Sequence, residues 1–409
     1  MRFGHITSVL ACLATAVSSL PASQTPLLRD HRGSRAVSVK LFAELEELAR
    51  VVDISYCVGL TGLGISKPFQ CLSRCSDFED FELVKTWNTG PLLSDSCGYV
   101  ALSHPPSAPR IIIAFRGTYS IANTIADLST VPQQYVPYPG NDDQPPTSET
   151  SSPDACANCT VHSGFLSSWR NTRSHILPYL EAAITSYPTY QLTLVGHSLG
   201  GAVAALASLD FHARGWSPRV TTFGEPRIGN AALMTYIDQR FQTPNNATSS
   251  GDLSEMAYHR VTHLDDPVPL LPLKQWGYRM HGGEIFISKP GLPPSVADLR
   301  HCFGDADPAC IAGVEEGPSG NIVTGRNPED ENEASDDGNG HGQHEVTDKG
   351  IWTLPPQYKL WQLFFAHRDY FWRLGLCVPG GDPRDWYRKY PHLEDPDQIQ
   401  NNNYYDDDE

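Results

Sequence analysis

Apolar positions recur along this chain at two spacings, 3.6 and 2, and their order predicts the layout. In residues 39–52, Leu41, Leu45, Leu48 and Val52 fall on one helical face, so an amphipathic helix is expected there. Strand-like runs follow at 82–87 and 98–102. The next run, Arg110–Phe115, is apolar nearly throughout and reads as a central strand buried on both faces. Residues 164–187 return to helical spacing, with Trp169, Ile176, Leu177 and Leu180 among the apolar positions. Leu192, Leu194 and Val195 then end a buried strand, and 202–207 (Ala-Val-Ala-Ala-Leu-Ala) are strong helix formers. Strands at 219–223, 258–264 and 284–287 complete the pattern. Strands alternating with helices over this length predict one α/β domain on a central, largely parallel sheet flanked by helices.

Composition sharpens this picture at the ends. The 409 residues are 40% apolar, enough for a substantial core, and 47 acidic against 30 basic residues give a net charge of −17. That sign argues against a nucleic-acid partner. Residues 1–22 combine Arg2, a short apolar run and small residues, the pattern of a secretory signal. The run falls short of the ~20 residues that span a bilayer, so no stable membrane anchor is expected. Arg29, Arg32 and Arg35 outline a short pro-segment to about residue 36. The domain then occupies 37–380, with polar insertions at 137–155 and 304–350, and an acidic, disordered tail fills 381–409.

Cysteine usage agrees with secretion. Without Cys12, which lies in the signal, nine cysteines remain, so one thiol is left over. Cys156 and Cys159 form a CxxC, but no second pair at zinc-site spacing accompanies it, and disulfides are the better reading. Asn246 begins a glycosylation sequon, as does Asn158.

The candidate chemistry sits at residues 196–200, Gly-His-Ser-Leu-Gly, between the strand and the helix that this motif requires. A nucleophile elbow presents Ser198 at a strained turn, where the flanking glycines avoid collisions with strand and helix. A serine hydroxyl needs a histidine to take its proton, and the histidine needs a carboxylate to fix its tautomer. His197 cannot serve, because the turn points neighbouring side chains apart; it is expected to support the elbow from below. The strand ending near residue 264 leads into Asp265-Asp266-Pro267, and Asp266 is favoured because Pro267 restricts its backbone. Among His281, His301, His341, His344, His367 and His392, His367 stands out, set in an aromatic stretch near Cys377. Leu199 would give one oxyanion N–H, and Thr118, after the strand Arg110–Phe115, an N–H and a hydroxyl. The short amphipathic stretch 119–128 reads as a lid over the site. A secreted binding protein without activity is the contrasting reading, disfavoured because all three triad residue types are present.

At this point the chain resembles the fungal class 3 triacylglycerol lipases, a family that includes feruloyl esterases. The landmarks run in order: Ser55-Tyr-Cys57, Lys85-Thr-Trp87, Phe115-Arg-Gly-Thr118, Ile125-Ala-Asp127, Val161-His-Ser-Gly-Phe165, Gly196-His-Ser-Leu-Gly200, Gly224-Glu-Pro-Arg-Ile-Gly-Asn230, Asp266-Pro-Val-Pro269, Ala366-His367 and Gly375-Leu-Cys377. The resemblance implies an α/β-hydrolase fold with Ser198, Asp266 and His367 as triad and Thr118 with Leu199 as oxyanion donors. It implies a lid helix carrying Tyr119, Ile121, Thr124, Ile125 and Leu128, with Thr124 where the well-known members have tryptophan. It also implies disulfides Cys57–Cys377 and Cys302–Cys310, with Cys71–Cys75 as a further candidate. The implied activity is hydrolysis of acylglycerols by a monomer at a lipid–water interface, with no metal or cofactor. Feruloyl esterase, phospholipase A1 and short-chain esterase are the alternatives on the same scaffold.

Overall fold

The computed structural model of the chain describes residues 35–59, 64–90, 95–118, 132–137, 156–244, 253–316 and 366–379. The signal and pro-segment, the lid residues, nearly all of 137–155, Asn246, 317–350 and the tail lie outside these.

Helix α1, Val39–Ile54, starts where the Ser38 hydroxyl accepts the Leu41 N–H at 3.1 Å. Its stripe Leu41, Leu45 and Leu48 is fully buried, each leucine stabilising the fold by about 1.5–3 kcal/mol relative to exposure. The strands are β1 (Phe81–Asn88), β2 (Cys97–Ser103), β3 (Arg110–Phe115), β4 (Pro132–Gln134), β5 (Thr160–His162), β6 (Gln191–His197), β7 (Arg219–Phe223), β8 (Gly229–Asn230), β9 (Tyr258–His263), β10 (Tyr278–Arg279), β11 (Glu284–Ile287) and β12 (Leu299–His301). Helices α2 (Ser163–Ser186), α3 (Leu199–Ala213), α4 (Ala231–Phe241) and α5 (Ile311–Glu316) are interleaved with them.

Eight strands form the main sheet in the order β1-β2-β3-β6-β7-β9-β11-β12. Its centre, β3-β6-β7-β9-β11, is parallel. Antiparallel β1 and β2 extend one edge, and antiparallel β12 closes the other. The alternation along β3 explains its apolar run. Ile111, Ile113 and Phe115 pack with α2, α3 and α4, whereas Ile112 and Ala114 pack with α1 and the segment around Tyr370–Leu374. Two cores thus share one strand, and every position in it is apolar after Arg110.

The sequence reading placed these central strands and three of the helices within a few residues. It did not single out α4, whose start is set by the Asn230 side chain accepting from Leu233 N at 3.1 Å. Nor did it foresee the small antiparallel sheet β10-β8-β5-β4, built from strands of only two or three residues. The insertion expected from residue 304 begins with packed chain instead. The Cys302–Cys310 disulfide closes a turn, and Ile311 and Ala312 bury against Leu270, Met280 and Phe286.

Candidate active site

Ser198 follows the last residue of β6 and caps α3 with φ 57° and ψ −129°, a conformation that L residues adopt only under strain. Close approach explains the flanking glycines. A Cβ at position 196 would sit 2.3 Å from Gly200 O, and one at position 200 would sit 2.3 Å from Phe115 O. The Ser198 N–H donates to Phe223 O at 2.9 Å, so β7 holds the turn in place.

Asp266 lies just beyond β9 and is buried, while Asp265 is exposed. His367 Nδ1 lies 2.9 Å from both carboxylate oxygens of Asp266, and the Tyr370 hydroxyl donates to Oδ2. Val268 N–H donates to Oδ1 at 2.9 Å. Burial by itself would raise the Asp266 pKa; the facing imidazole, followed by the Tyr370 and Val268 donors, outweighs it and holds the group below the usual carboxylate range. Asp266 therefore stays ionised and fixes the His367 tautomer with Nδ1–H toward it. His367 Nε2 is buried and has no hydrogen-bond partner among the described residues. It is the ring nitrogen that remains free to exchange a proton once Nδ1–H is committed to Asp266.

The loop after β3 completes the constellation. A Cβ on Gly117 would lie 2.9 Å from Ser198 Cβ, so the residue before Thr118 packs directly against Ser198. Thr118 Oγ1 is buried without a partner among the described residues. Leu199 is the first residue of α3, so its N–H has no acceptor within the helix. These groups together can stabilise an oxyanion next to Ser198. Arg116 braces the loop by donating to Val58 O at 2.6 Å.

The profile of the family described as "Lipase (class 3)" matches residues 112–276. The "Secreted mono- and diacylglycerol lipase 2" of Gibberella zeae is 48% identical over 398 residues, covering 93% of this chain and 92% of that protein. The chain belongs to the class 3 lipase family. The "Lipase A" of Sodiomyces alcalophilus is 49% identical, with 92% of this chain and 89% of its own covered. The crystal structure of Lip2 lipase from Yarrowia lipolytica aligns with a TM-score of 0.64 at 29% identity, covering 84% of this chain and 97% of its own. This class 3 lipase is thus a carboxylic ester hydrolase with the α/β-hydrolase fold.

Several residues of the lipase site escaped the sequence reading. Tyr370 was seen only as one of the aromatic neighbours of His367, although a phenol three residues on from the histidine was the available signal. Tyr56 was a family landmark without a role; its hydroxyl lies 2.5 Å from His197 Nδ1. His197 Nε2 is 2.8 Å from the backbone carbonyl of His367. That carbonyl can only accept, so Nε2 carries the proton and Nδ1 accepts from Tyr56. Burial, followed by the charge of His367, pushes the His197 pKa down to about 3, so the ring is neutral. The ring expected to support the elbow instead holds the main chain of His367, with Tyr56 on its other side. Arg227 donates to Leu270 O and, at 3.1 Å, to Pro272 O, bracing the loop that carries Asp266.

Disulfides join Cys57 to Cys377, Cys71 to Cys75, Cys302 to Cys310 and Cys156 to Cys159. Among the described residues the thiol outside a disulfide is Cys97, buried and donating to Asn88 Oδ1 at 3.0 Å. No helix among the described residues is long and apolar enough to cross a membrane.

Proposed function

We propose that the enzyme is a secreted serine lipase that hydrolyses acylglycerols through an acyl-enzyme on Ser198. The carrying observation is the buried His367, with Nδ1 2.9 Å from both oxygens of Asp266 and Nε2 unpartnered among the described residues, together with a strained serine on the turn between β6 and α3. His367 takes the Ser198 proton as the hydroxyl attacks the ester carbonyl, then returns it to the departing alcohol. Water repeats the sequence and releases the fatty acid. Asp266 stays ionised and steadies the imidazolium, and the Thr118 and Leu199 donors receive the developing negative charge.

The substrate class is supported by family membership and by a relative named for mono- and diacylglycerols. Secretion is supported by that relative's name and by four disulfides among the described residues. The proposed triad and oxyanion groups all come from one chain, which supports a monomer as the working unit. A lid over 119–128 that opens at a lipid–water interface belongs to the same reading.

The test is a substrate profile with active-site labelling. Emulsified monoolein, diolein and triolein should be cleaved, and a fluorophosphonate should modify Ser198 and stop the reaction. Preference for soluble feruloyl esters would overturn the acylglycerol assignment, and labelling elsewhere than Ser198 would overturn the mechanism.

A further inference from the structure

Behind the triad lies a second buried polar cluster that the mechanism does not use. Glu225 is fully buried; its Oε2 accepts from the hydroxyls of Thr222 on β7 at 2.7 Å and Tyr258 on β9 at 2.8 Å. Its Oε1 lies 3.0 Å from His281 Nε2, in the loop before β11. The other ring nitrogen, His281 Nδ1, lies 2.9 Å from the Gly282 carbonyl. A carbonyl cannot donate, so Nδ1 carries a proton. A second proton must then lie between Nε2 and Oε1, because two lone pairs cannot face each other at that distance. This is the reverse of His197, where one of the two ring partners is a hydroxyl that donates.

The surroundings are charged on each packed element. Arg260 on β9 donates to His281 O at 3.0 Å and to Glu284 on β11 at 3.4 Å. Glu284 also accepts from Thr262 at 2.5 Å, and Asp238 on α4 accepts from Gly282 N at 2.7 Å. The facing imidazole and hydroxyls keep the Glu225 carboxyl below its ordinary range despite the opposing effect of burial, the largest single influence on it.

The backbone around Glu225 touches every reactive group. Phe223 O accepts from the nucleophile's N–H. A Cβ on Gly224 would lie 2.8 Å from His367 Cε1 and 2.9 Å from Asp266 Oδ2. A Cβ on Gly201, in the first turn of α3, would lie 3.2 Å from Glu225 Cβ. Arg227 braces the Asp266 loop, as described above. We infer that Glu225 and His281 form a proton-sharing positioning pair, which clamps residues 223–227 against β9 and thereby sets the register of Ser198, Asp266 and His367.

This inference rests on the lipase reading for its kinetic consequence, but not for the protonation state. Glu225→Gln keeps the shape and can donate its amide N–H to a neutral His281. It should hold kcat within about 3-fold of the parent, the rescue expected when the contact to His281 is kept. Glu225→Ala should lower kcat by up to about 100-fold, the scale of a small misplacement of reacting groups, with KM little changed. Fluorophosphonate titration normalises both to correctly folded sites. Glu225→Gln with kcat as low as that of Glu225→Ala, or Glu225→Ala with the parent's kcat, would overturn the inference. Ring 15N shifts of His281 separate the two readings. Imidazolium shifts near neutral pH support the pair even if Ser198 fails to label, and a neutral tautomer refutes it even if Ser198 labels fully.

Discussion

His197 Nε2–H donates to the carbonyl oxygen of His367 at 2.8 Å, joining the residue before Ser198 to the main chain of the proposed base across 170 positions of sequence. The ring keeps this role only while neutral and correctly oriented, and Tyr56 orients it from the other side.

Tyr56→Phe removes that donor and leaves His197 Nδ1 buried without a partner. The expected cost is about 1–3 kcal/mol of stability, together with a fall in kcat of about 10-fold at unchanged KM as the His367 backbone loses its support. Urea unfolding and initial rates measure the two effects. A variant matching the parent in both would show that the Tyr56–His197 contact is dispensable.

Acid should destabilise the fold well above the pH at which carboxylates titrate. Burial is the main cause that pushes the pKa values of His197 and His259 down to about 3, against about 6.5 in an unfolded chain. As pH falls through about 6.5 the unfolded state therefore binds two protons that the folded state refuses, and stability drops. Asp53 acts in the opposite sense, since burial raises its pKa to about 6. Below that pH the folded state gains one proton before the unfolded state does. The slope of unfolding free energy should correspond to about one proton throughout pH 6.5 to 4, because the histidine difference grows toward two as Asp53 takes up its opposing proton. A stability flat from pH 7 to 5 contradicts this assignment.

Thr118→Val keeps the backbone N–H and deletes the buried hydroxyl. If that hydroxyl binds the oxyanion, kcat should fall by about 10²–10³ with little change in KM, and Thr118→Ser should recover most of the loss. Equal losses in the valine and serine variants would point to packing instead.

The segment carrying His367 is fastened at Cys377 to Cys57, at Gly375 N to Asp53 Oδ1 at 2.8 Å, and at Trp372, which stacks under Arg74. Replacing Cys57 and Cys377 together by serine should cost about 2–5 kcal/mol. Activity should then disappear on heating before circular dichroism reports global unfolding, because the base is released first. Coincident activity and unfolding midpoints in this variant would argue against a local role.

The strands and the elbow were legible because their signals are local. An apolar run such as Arg110–Phe115 must be buried, and Gly-His-Ser-Leu-Gly must turn sharply. Asp266 and His367 were legible as residue types at strand or chain positions that suit their chemistry, with the family landmarks behind them. Tyr56, Glu225, His281 and Tyr370 were not. Each acts through a partner at least 50 residues away, and nothing within its own segment separates a buried phenol or carboxylate with a job from one that merely packs. The second sheet was hidden for a different reason, since two-residue strands such as Gly229–Asn230 are too short to show any periodicity.

β3 acts as a ruler for the fold. Its odd-numbered apolar residues belong to one core and its even-numbered ones to the other, and Gly117 and Thr118 leave its end beside Ser198. A slip of one residue would exchange every side chain between the cores and draw Thr118 along the strand by about 3.3 Å. Misthreading and displacement of the proposed oxyanion donor are therefore one event. A chain that pairs β3 out of step fails as a fold and as a catalyst together, so no well-folded but mistimed hydrolase arises from that error.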